Sequence, residues 1–566
     1  MLSDSYVFFV NIYTGDAQWK LPRMKAPEVP PQVEEPFLAC ELMDTVPLAY
    51  MQGRYSAVSY CAGGATKTAR IMLNGYWFNC FANLEHSIEC IRLHWARESN
   101  NDDLLLWTDQ ICINQSDNRE KSHQVRFMRL IYRRAKQVFV VLSTASPNRP
   151  WKKTATGMDA LRRLDDEVSR LNGLATGSIY RITDDYQTAM ILKTLSQGLA
   201  NEHKDPWVRD WTNVLVELIS AEWWTRAWVY QEFVVASRAY FIYRSASLAW
   251  PSLYPYLSFF CAKLPDQLTR LEAETNAIKA AEKKKFVSIL SRMCFNVSKL
   301  REVLQATSVQ RMRVEYFIES KDMWTPTRPT NLRVLLQHSI SFKSTDVRDL
   351  VYAFIGLCPT DHNIVPDYTS RNTILHVLIA AAKSIVRQEN NLQILDNAIA
   401  LQKERYGMWV PSWVPDWTAP ECSHARSYIS GISGTQRAFD ASKRKLANAN
   451  FRVNEQDVTK VALNVSGLFV GVLDHLMDDA YGCTRKFRMS SGLQVKTTSS
   501  AIAGDQVWVL RGADSVYVLR NETEDDYSLL GAASLWNGSV ISNIMYGDMI
   551  DREERGEVQY QEIFII

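Results

Sequence analysis

The stretch from Leu104 to Ser143 reads LLLWTDQICINQSDNREKSHQVRFMRLIYRRAKQVFVVLS, and it decides the fold class. The run from Leu104 to Ile113 is mostly apolar, which predicts a strand over 104–112 that is buried on both faces, as in a parallel sheet. A second apolar run predicts another strand over 137–143. Between them the pattern predicts a helix over about 119–135.

This predicted helix has a start signal and one apolar face. Asp117 and Glu120 form an acidic variant of a capping box at its first turn. The apolar residues that follow recur at helical spacing: Val125, Met128, Ile131, Tyr132 and Ala135. Strand, helix and strand in this order imply a right-handed crossover between parallel strands. Asp109, near the carboxyl end of the first strand, is then where open α/β sheets bind their ligands.

The same stretch resembles the core motif of the fungal heterokaryon incompatibility (HET) domain. The residues that carry the resemblance are Leu106, Trp107, Asp109, Ile111, Cys112, Ile113, Asn114, Gln115, Gln124, Val125, Met128, Ile131, Tyr132, Ala135 and Val138. Tyr55-Ser-Ala-Val-Ser-Tyr60 is similar to the family's opening strand, and Trp224-Thr-Arg-Ala-Trp-Val-Tyr-Gln-Glu232 to a later signature. Segments at 346–356, 366–368 and 411–417 are similar to those that follow the domain in long members, so the resemblance covers roughly residues 36 to 566.

The resemblance implies an α/β fold, because HET domains are distantly similar to the TIR fold. We expect a TIR-like (flavodoxin-like) parallel sheet core with helical insertions, a helical middle region and a small β-rich C-terminal domain. Strands are predicted near 55–61 and 239–243 as well. The expected boundaries are 37–250 for the HET domain, 251–448 for the helical region and 449–566 for an antiparallel barrel or sandwich, where short β runs alternate with turns.

The first 22 residues resemble the second half of a WW domain. In that family the positions matching Phe8 and Trp19 form the groove for proline-rich peptides. The first strand and first tryptophan of the WW fold are missing, so a hairpin is the most that we expect over 6–19. Residues 23–36 are rich in proline and predict an extended linker.

The TIR resemblance also implies a site. Some TIR domains hydrolyse the nicotinamide bond of NAD with one glutamate, and Glu232 occupies the corresponding place in order. A carboxylate suits this reaction because positive charge develops on the ribose. We expect Glu232 and Asp109 to be catalytic and to line one cleft, with a substrate-binding set of Tyr60, Gly63, Gly64, Trp228 and Arg226. The structural alternatives are that Glu232 pairs with Arg226 and that Asp109 accepts hydrogen bonds from the following loop.

Composition narrows the class of protein. The 566 residues are 46% hydrophobic, and 64 basic against 62 acidic residues give a net charge of +2, so nucleic-acid binding is not expected. No apolar run approaches the roughly 18 to 20 residues of a membrane helix. The N-terminus has no signal-peptide pattern, and the protein is expected to be cytoplasmic. Ten cysteines without a C-x-x-C pair, and nine histidines, give no metal-ligand pattern.

Three functions remain open at this stage. The first is non-self recognition leading to growth arrest or cell death, through self-association or another incompatibility protein. The second is an enzyme, either a TIR-like NAD hydrolase or a HET scaffold recruited to a secondary-metabolite pathway. The loop after the first strand favours recruitment, because Ala62 replaces the tryptophan of the family pattern. The third is an interaction scaffold that uses the WW-like segment and the β-rich C-terminus.

Overall fold

The structure is a computed structural model of the chain, and its description covers defined ranges. These are residues 6–7, 10–12, 38–43, 46–64, 66–98, 104–145, 211–243, 246–258, 260–261, 304–323, 330–358, 362–398, 410–418, 439–478 and 484–566. Phe8, Trp19 and the proline-rich linker at 23–36 lie outside these ranges. The chain divides into two compact units, Met1–Pro329 and Thr330–Ile566.

Unit 1 contains one large sheet and a two-stranded ribbon. Its strands are β1 Tyr6–Val7, β2 Val10–Ile12, β3 Ala39–Leu42, β4 Val46–Pro47, β5 Ser56–Tyr60, β6 Thr68–Leu73, β7 Tyr76–Phe81, β8 Leu104–Trp107, β9 Gln137–Val141, β10 Ala239–Tyr243 and β11 Ala246–Ala249. Its α-helices are α1 Ala82–Glu98, α2 Asp109–Cys112, α3 Asn118–Val125, α4 Met128–Arg134, α5 Trp211–Ile219, α6 Ala227–Val234, α7 Trp250–Ser258 and α8 Ser308–Met323. Short 3₁₀ helices lie at Leu48–Met51 and Glu222–Thr225.

The described strands of the large sheet lie in the order β11-β10-β9-β5-β8-β2-β3-β6-β7. The four central strands β10, β9, β5 and β8 are parallel, and β5 pairs with both β8 and β9. This confirms that the strands predicted near 55–61, 104–112 and 137–143 are adjacent and parallel. Counted along the chain, the four lie in the order 2-1-3-4, an order known from doubly wound sheets. The whole sheet is mixed, because β11, β2 and the β6–β7 hairpin add antiparallel pairs.

Two predicted elements end earlier than expected. The strand predicted over 104–112 stops at Trp107, since Asp109 begins α2 and its Oδ1 accepts from the backbone N–H of Gln110 at 2.8 Å. The helix predicted over 119–135 is two helices, α3 and α4, separated at Phe127, whose ψ is −2°. This turn redirects the chain so that the apolar residues of α4 are buried. The predicted start is correct, because the Asp117 side chain accepts from the first-turn N–H groups.

Helices cover both faces of the central strands. Neighbouring residues of a strand point to opposite faces, and Tyr240 and Phe241 of β10 show which helix covers each. Tyr240 contacts His94 of α1 at a ring distance of 5.6 Å. Phe241 contacts Phe233 of α6 at 5.5 Å. Helix α4 packs against α6 on this second face.

The N-terminal strands belong to the body of unit 1. Strand β1 pairs with β4, and β2 is inserted antiparallel between β8 and β3. The sequence predicted a hairpin at most over 6–19. Among the described residues β1 and β2 do not pair with each other, and each pairs with a later segment. For β2 the physical reason is that a short ribbon is marginal in water, whereas a strand inserted into a large sheet gains ladder hydrogen bonds on both edges.

Unit 2 contains four described α-helices and a second sheet. The helices are α9 Leu332–Ser339, α10 Asp349–Ile355, α11 Ile374–Glu389 and α12 Asp548–Glu554. The strands are β12 Asn450–Val453, β13 Val461–Asp478, β14 Thr484–Met489, β15 Gln494–Thr498, β16 Gln506–Leu510, β17 Val516–Asn521, β18 Asp526–Asn537, β19 Val540–Ile541 and β20 Gln561–Ile565. The division between the units falls inside the region 251–448 that was expected to be one helical region.

The strands of unit 2 close on themselves. Antiparallel pairs run from β13 through β14, β15, β18, β17 and β16 and back to β13, which makes a ring of six strands. The inside of this ring is apolar and includes Leu468, Val495, Val509, Val518 and Leu535. A closed ring removes the exposed edges of a sheet. The expected β-rich C-terminal region is present, and its strands form this ring.

Candidate functional site

The carboxyl ends of β5 and β9 meet at one edge of the sheet, where the strand order reverses. Asn83, at the start of α1, joins the two strand ends. Its Nδ2 donates to the Cys61 carbonyl at 2.8 Å, and its Oδ1 accepts from the Ala145 backbone N–H at 2.9 Å. Open α/β sheets bind ligands at such a switch point. This edge is therefore the candidate position of a ligand site.

Glu232 is held at the central strand from the α6 side. It is 7% exposed, and its Oε2 accepts from the Ser59 hydroxyl at 2.5 Å. The same hydroxyl oxygen accepts from Trp223 Nε1 at 2.9 Å. Tyr132 of α4 lies beside the carboxyl group and donates its hydroxyl to the Val58 carbonyl at 2.9 Å. Strand β5, helix α4 and the 3₁₀ helix at Glu222–Thr225 thus fix the position of the Glu232 side chain.

The surroundings of Glu232 favour its neutral form. Burial is the largest effect and raises the pKa of the carboxyl group to about 8, against the lowering effect of the Ser59 hydrogen bond. Asp109 raises this pKa further, while Arg226 and Tyr132 lower it. Glu232 is therefore mostly protonated at neutral pH and contributes little fixed negative charge to the site.

Arg226 and Asp109 supply the charges of the cluster. Arg226 precedes α6 and is half-buried, and its Nη1 donates to the Tyr60 carbonyl at 2.6 Å. Burial lowers the pKa of the guanidinium, but Cys61, Glu232 and Asp109 outweigh burial and leave that pKa above its usual value. Asp109 is half-buried at the start of α2. With Glu232 protonated, the cluster carries one positive and one negative charge.

Two buried polar atoms at the carboxyl end of β8 have no hydrogen-bond partner among the described residues. They are Trp107 Nε1 and Thr108 Oγ1. Buried groups without partners are costly in a protein interior. The buried Tyr60 hydroxyl lies close to Asp109. Burial raises the pKa of Tyr60 well above its usual value, and Asp109 raises it further through its charge and a hydrogen bond.

The expected site residues are only partly brought together. Glu232, Asp109, Tyr60 and Arg226 interact electrostatically in one cluster. Trp228 is half-buried on α6 and forms no hydrogen bond with a described residue of this cluster. Gly63 and Gly64 are exposed in the loop after β5, and Gly63 has a left-handed φ of +77°. Phe8 and Trp19, the expected peptide groove, lie outside the described residues.

Several residues of the cluster were not singled out from the sequence. Ser59 is a polar residue inside a strand that is buried on both faces. That was the sequence signal that could have indicated its contact with Glu232. Tyr132 was assigned to an apolar helix face, where the hydroxyl is not visible in the periodicity. Asn83 was not predicted to be part of the site. Its bridge between two strand ends depends on tertiary structure.

Two other features, a metal-ligand cluster and a membrane-spanning helix, are absent from the described ranges. No three His, Cys, Asp or Glu side chains in these ranges are grouped so that they could hold a metal ion. None of the helices in the same ranges is both long and apolar enough to cross a bilayer.

Comparison with known proteins gives one family and one relative. Residues 55–232 match the model of the family described as "Heterokaryon incompatibility protein (HET)". The chain is also 27% identical over 393 residues to "Heterokaryon incompatibility protein 6, OR allele" of Neurospora crassa, an alignment that covers 64% of this chain. The chain spans about half of that relative, with 53% of its length aligned. No solved structure matches the chain.

These matches support the resemblance found in the sequence. The family segment begins at Tyr55, directly before β5, and ends at Glu232 of α6. Its two ends are therefore joined in space by the hydrogen bond from Ser59 to Glu232. Strand β10 completes the parallel part of the sheet just beyond the segment.

Proposed function

We propose that this chain acts in the cytoplasm in fungal heterokaryon incompatibility and that it triggers growth arrest or cell death. The observation that carries the proposal is the family match over 55–232, which spans the polar cluster at the carboxyl edge of the sheet. The Neurospora crassa relative supports the same role, since its name states it. The proposed partner of this chain is a second copy of itself or another incompatibility protein.

The test is controlled expression of the full chain in a filamentous fungus. Colony extension and the fraction of dead hyphal compartments are measured after induction. The expected result is arrest or death that grows with the dose of protein. Normal growth at a high level of folded protein would contradict the proposal. Sedimentation of the purified chain over a range of concentrations then distinguishes self-association from the need for another protein.

A second candidate is hydrolysis of NAD at the same edge, as the TIR resemblance implies. Water attacks C1′ of the ribose, the bond to nicotinamide breaks, and nicotinamide, ADP-ribose and a proton are released. Because Glu232 is mostly neutral, the negative charge that would stabilise the ribose cation comes from Asp109. Glu232, which burial keeps protonated, would lie nearby with its Oε2 accepting from Ser59. A buried neutral carboxyl group close to a second carboxyl group favours this candidate.

Release of nicotinamide by the purified full chain tests this candidate. The variants are Glu232→Gln and Asp109→Asn, both of which keep an oxygen that can accept the observed hydrogen bonds. Glu98→Gln is the matched control, because Glu98 is exposed at the end of α1. Turnover that is lost in both variants and kept in the control supports the candidate. No nicotinamide release by folded wild-type protein would reject it, and the incompatibility proposal would still stand.

A further inference from the structure

Unit 2 has a cavity of about 460 Å³ along helix α11. One wall is the helix, and the opposite wall includes His362, Ile364 and Val458. The volume lies within the range of roughly 300 to 1,000 Å³ that is usual for small-molecule sites. The cavity is separate from the polar cluster of unit 1.

The helix wall is polar, although α11 is otherwise apolar. His376, Ala380, Lys383, Ser384 and Arg387 recur at spacings of three and four, so they share one side of the helix. The rest of the helix is buried core, which includes Leu378, Ala381, Ala382 and Ile385. An amphipathic helix usually turns its polar side to open solvent. Here that side lines a cavity.

Two cations lie side by side in this wall. Lys383 and Arg387 are one turn apart, and both are over the ring of Phe451, with Lys383 Nζ at 5.4 Å and Arg387 Cζ at 5.2 Å. Burial, and then the charge of Arg387, lower the pKa of Lys383. Like charges one turn apart destabilise a helix. A bound anion would remove this repulsion.

No carboxylate of the described residues lines the cavity or forms an ion pair with either cation. Asp457 interacts electrostatically with His376. Its Oδ1 accepts from the Thr459 backbone N–H at 3.0 Å and from the Thr459 hydroxyl at 2.5 Å. Lys383 and Arg387 themselves have no carboxylate partner in the cavity lining.

Two imidazoles add polar groups to the cavity. The backbone N–H of Thr373 donates to His376 Nδ1 at 3.3 Å, so the neutral ring carries its proton on Nε2. That leaves Nε2 as a donor. His362 is buried, and its Nδ1 lies 2.7 Å from the Ser384 hydroxyl. The Ser384 hydroxyl also donates to the His362 carbonyl at 3.2 Å. The two cations and the Nε2 donor of His376 together suit an oxyanion.

We propose that this cavity binds a small organic phosphate. Lys383 and Arg387 would hold the phosphate, and His376 would donate to one of its oxygens. Ile364, Ile379 and Val458 would contact the uncharged part of the molecule. The site belongs to unit 2, and its ligand would act as a signal or a stabiliser that is independent of the cluster near Glu232.

Calorimetric titration of the full chain tests the proposal with three probes: AMP, inorganic phosphate and adenosine. AMP and phosphate are expected to bind saturably, with AMP the tighter of the two, and adenosine is expected to bind more weakly than AMP. Ala380→Glu is the decisive variant, because Ala380 is exposed on the cavity wall and the new carboxylate repels an anion. Ala380→Gln is its neutral control, of nearly the same size.

A second pair of variants removes the cations themselves. Lys383→Met with Arg387→Met is expected to weaken AMP binding by roughly tenfold or more, because charged hydrogen bonds are lost. Lys486→Met with Arg488→Met removes the same charges from exposed positions of β14 and should bind AMP as wild type does. Equal AMP binding by the Ala380→Glu and Ala380→Gln variants would overturn the proposal. So would a folded wild-type chain that binds neither phosphate probe.

Discussion

The Ser59 hydroxyl donates to Glu232 Oε2 at 2.5 Å, although the two residues are 173 positions apart in the chain. The bond links the central strand β5 to helix α6. It also places the carboxyl group where burial keeps it protonated. Two of the predictions below depend on this position of α6.

The stability of unit 1 should fall as pH rises, because Glu232 is neutral in the folded state. Its folded pKa of about 8 is above the unfolded value of roughly 4.3, so the folded state holds one more proton between these two pH values. The free energy of unfolding should then decrease by up to roughly 1.4 kcal/mol per pH unit across this window. Glu232→Gln should remove this contribution. Urea unfolding of both proteins between pH 5 and 9 is the measurement, and parallel curves would contradict the assignment.

Gly63→Ala should destabilise the loop at the switch point. A Cβ at Gly63 would lie 2.7 Å from Asn83 Nδ2, and the residue has a φ of +77°. The change therefore strains the backbone and displaces the bridge from Cys61 to Ala145, at a cost of roughly 1 to 3 kcal/mol. Gly53→Ala is the matched control, with a φ of +71° and nothing within 4 Å of the new Cβ. Equal losses in thermal unfolding would show that only the backbone conformation matters.

Lys321→Met should loosen the end of α6. The Lys321 ammonium donates to the carbonyls of Phe233 at 2.9 Å and Val234 at 3.2 Å, and to that of Ala236. Loss of this donor leaves carbonyl groups at the helix end without a charged partner, which should cost about 1 to 3 kcal/mol. Hydrogen exchange of the α6 amides and calorimetric unfolding measure the effect. Lys67→Met, at an exposed position, should change neither.

Arg520→Met should destabilise the ring of strands in unit 2. Arg520 donates from Nε and Nη2 to both carboxylate oxygens of Asp505, each at 2.9 Å, and Asp505 is only 3% exposed. Without the cation a buried charge loses its main partner, and because Arg520 is partly solvated we expect a loss of roughly 2 to 3 kcal/mol.

The control for this ion pair is Arg444→Met, since the Arg444 side chain is 90% exposed and its contact with Asp440 is long, at 3.8 Å. It should shift the unfolding midpoint little. Adding Asp505→Asn to Arg520→Met should recover part of the lost stability, because an amide costs less to bury than a carboxylate. No recovery would mean that packing of the arginine, and not its charge, is important.

The parallel core could be predicted from the sequence, but its edges could not. The apolar runs at β5, β8 and β9 are local signals that are sufficient to identify buried parallel strands. Insertion of β2 between β8 and β3 is a long-range pairing, and no local pattern specifies it. The end of β8 at Trp107 was missed for a different reason. Ile111, Cys112 and Ile113 are apolar enough to continue a strand, but the chain is helical from Asp109 to Cys112.

The candidate site was predictable to a similar extent. The sequence identified Glu232, Asp109, Tyr60 and Arg226 as one group, and the four interact in the structure. The sequence could not indicate that Glu232 is buried and neutral, because this depends on Ser59 and Tyr132 from other elements. Whether the group is catalytic stays a prediction for the nicotinamide assay.

The distance in sequence between Ser59 and Glu232 also has a consequence for synthesis. Ribosomes add about 5 to 20 residues per second, so α6 emerges roughly ten seconds or more after β5. During that time the part of this face that α6 covers stays exposed, and apolar surface of this kind is prone to aggregate. Unit 1 should therefore depend on chaperones that bind the nascent chain until Glu232 has been made. Slowing translation between the codons for Ser59 and Glu232 should lower the yield of folded protein.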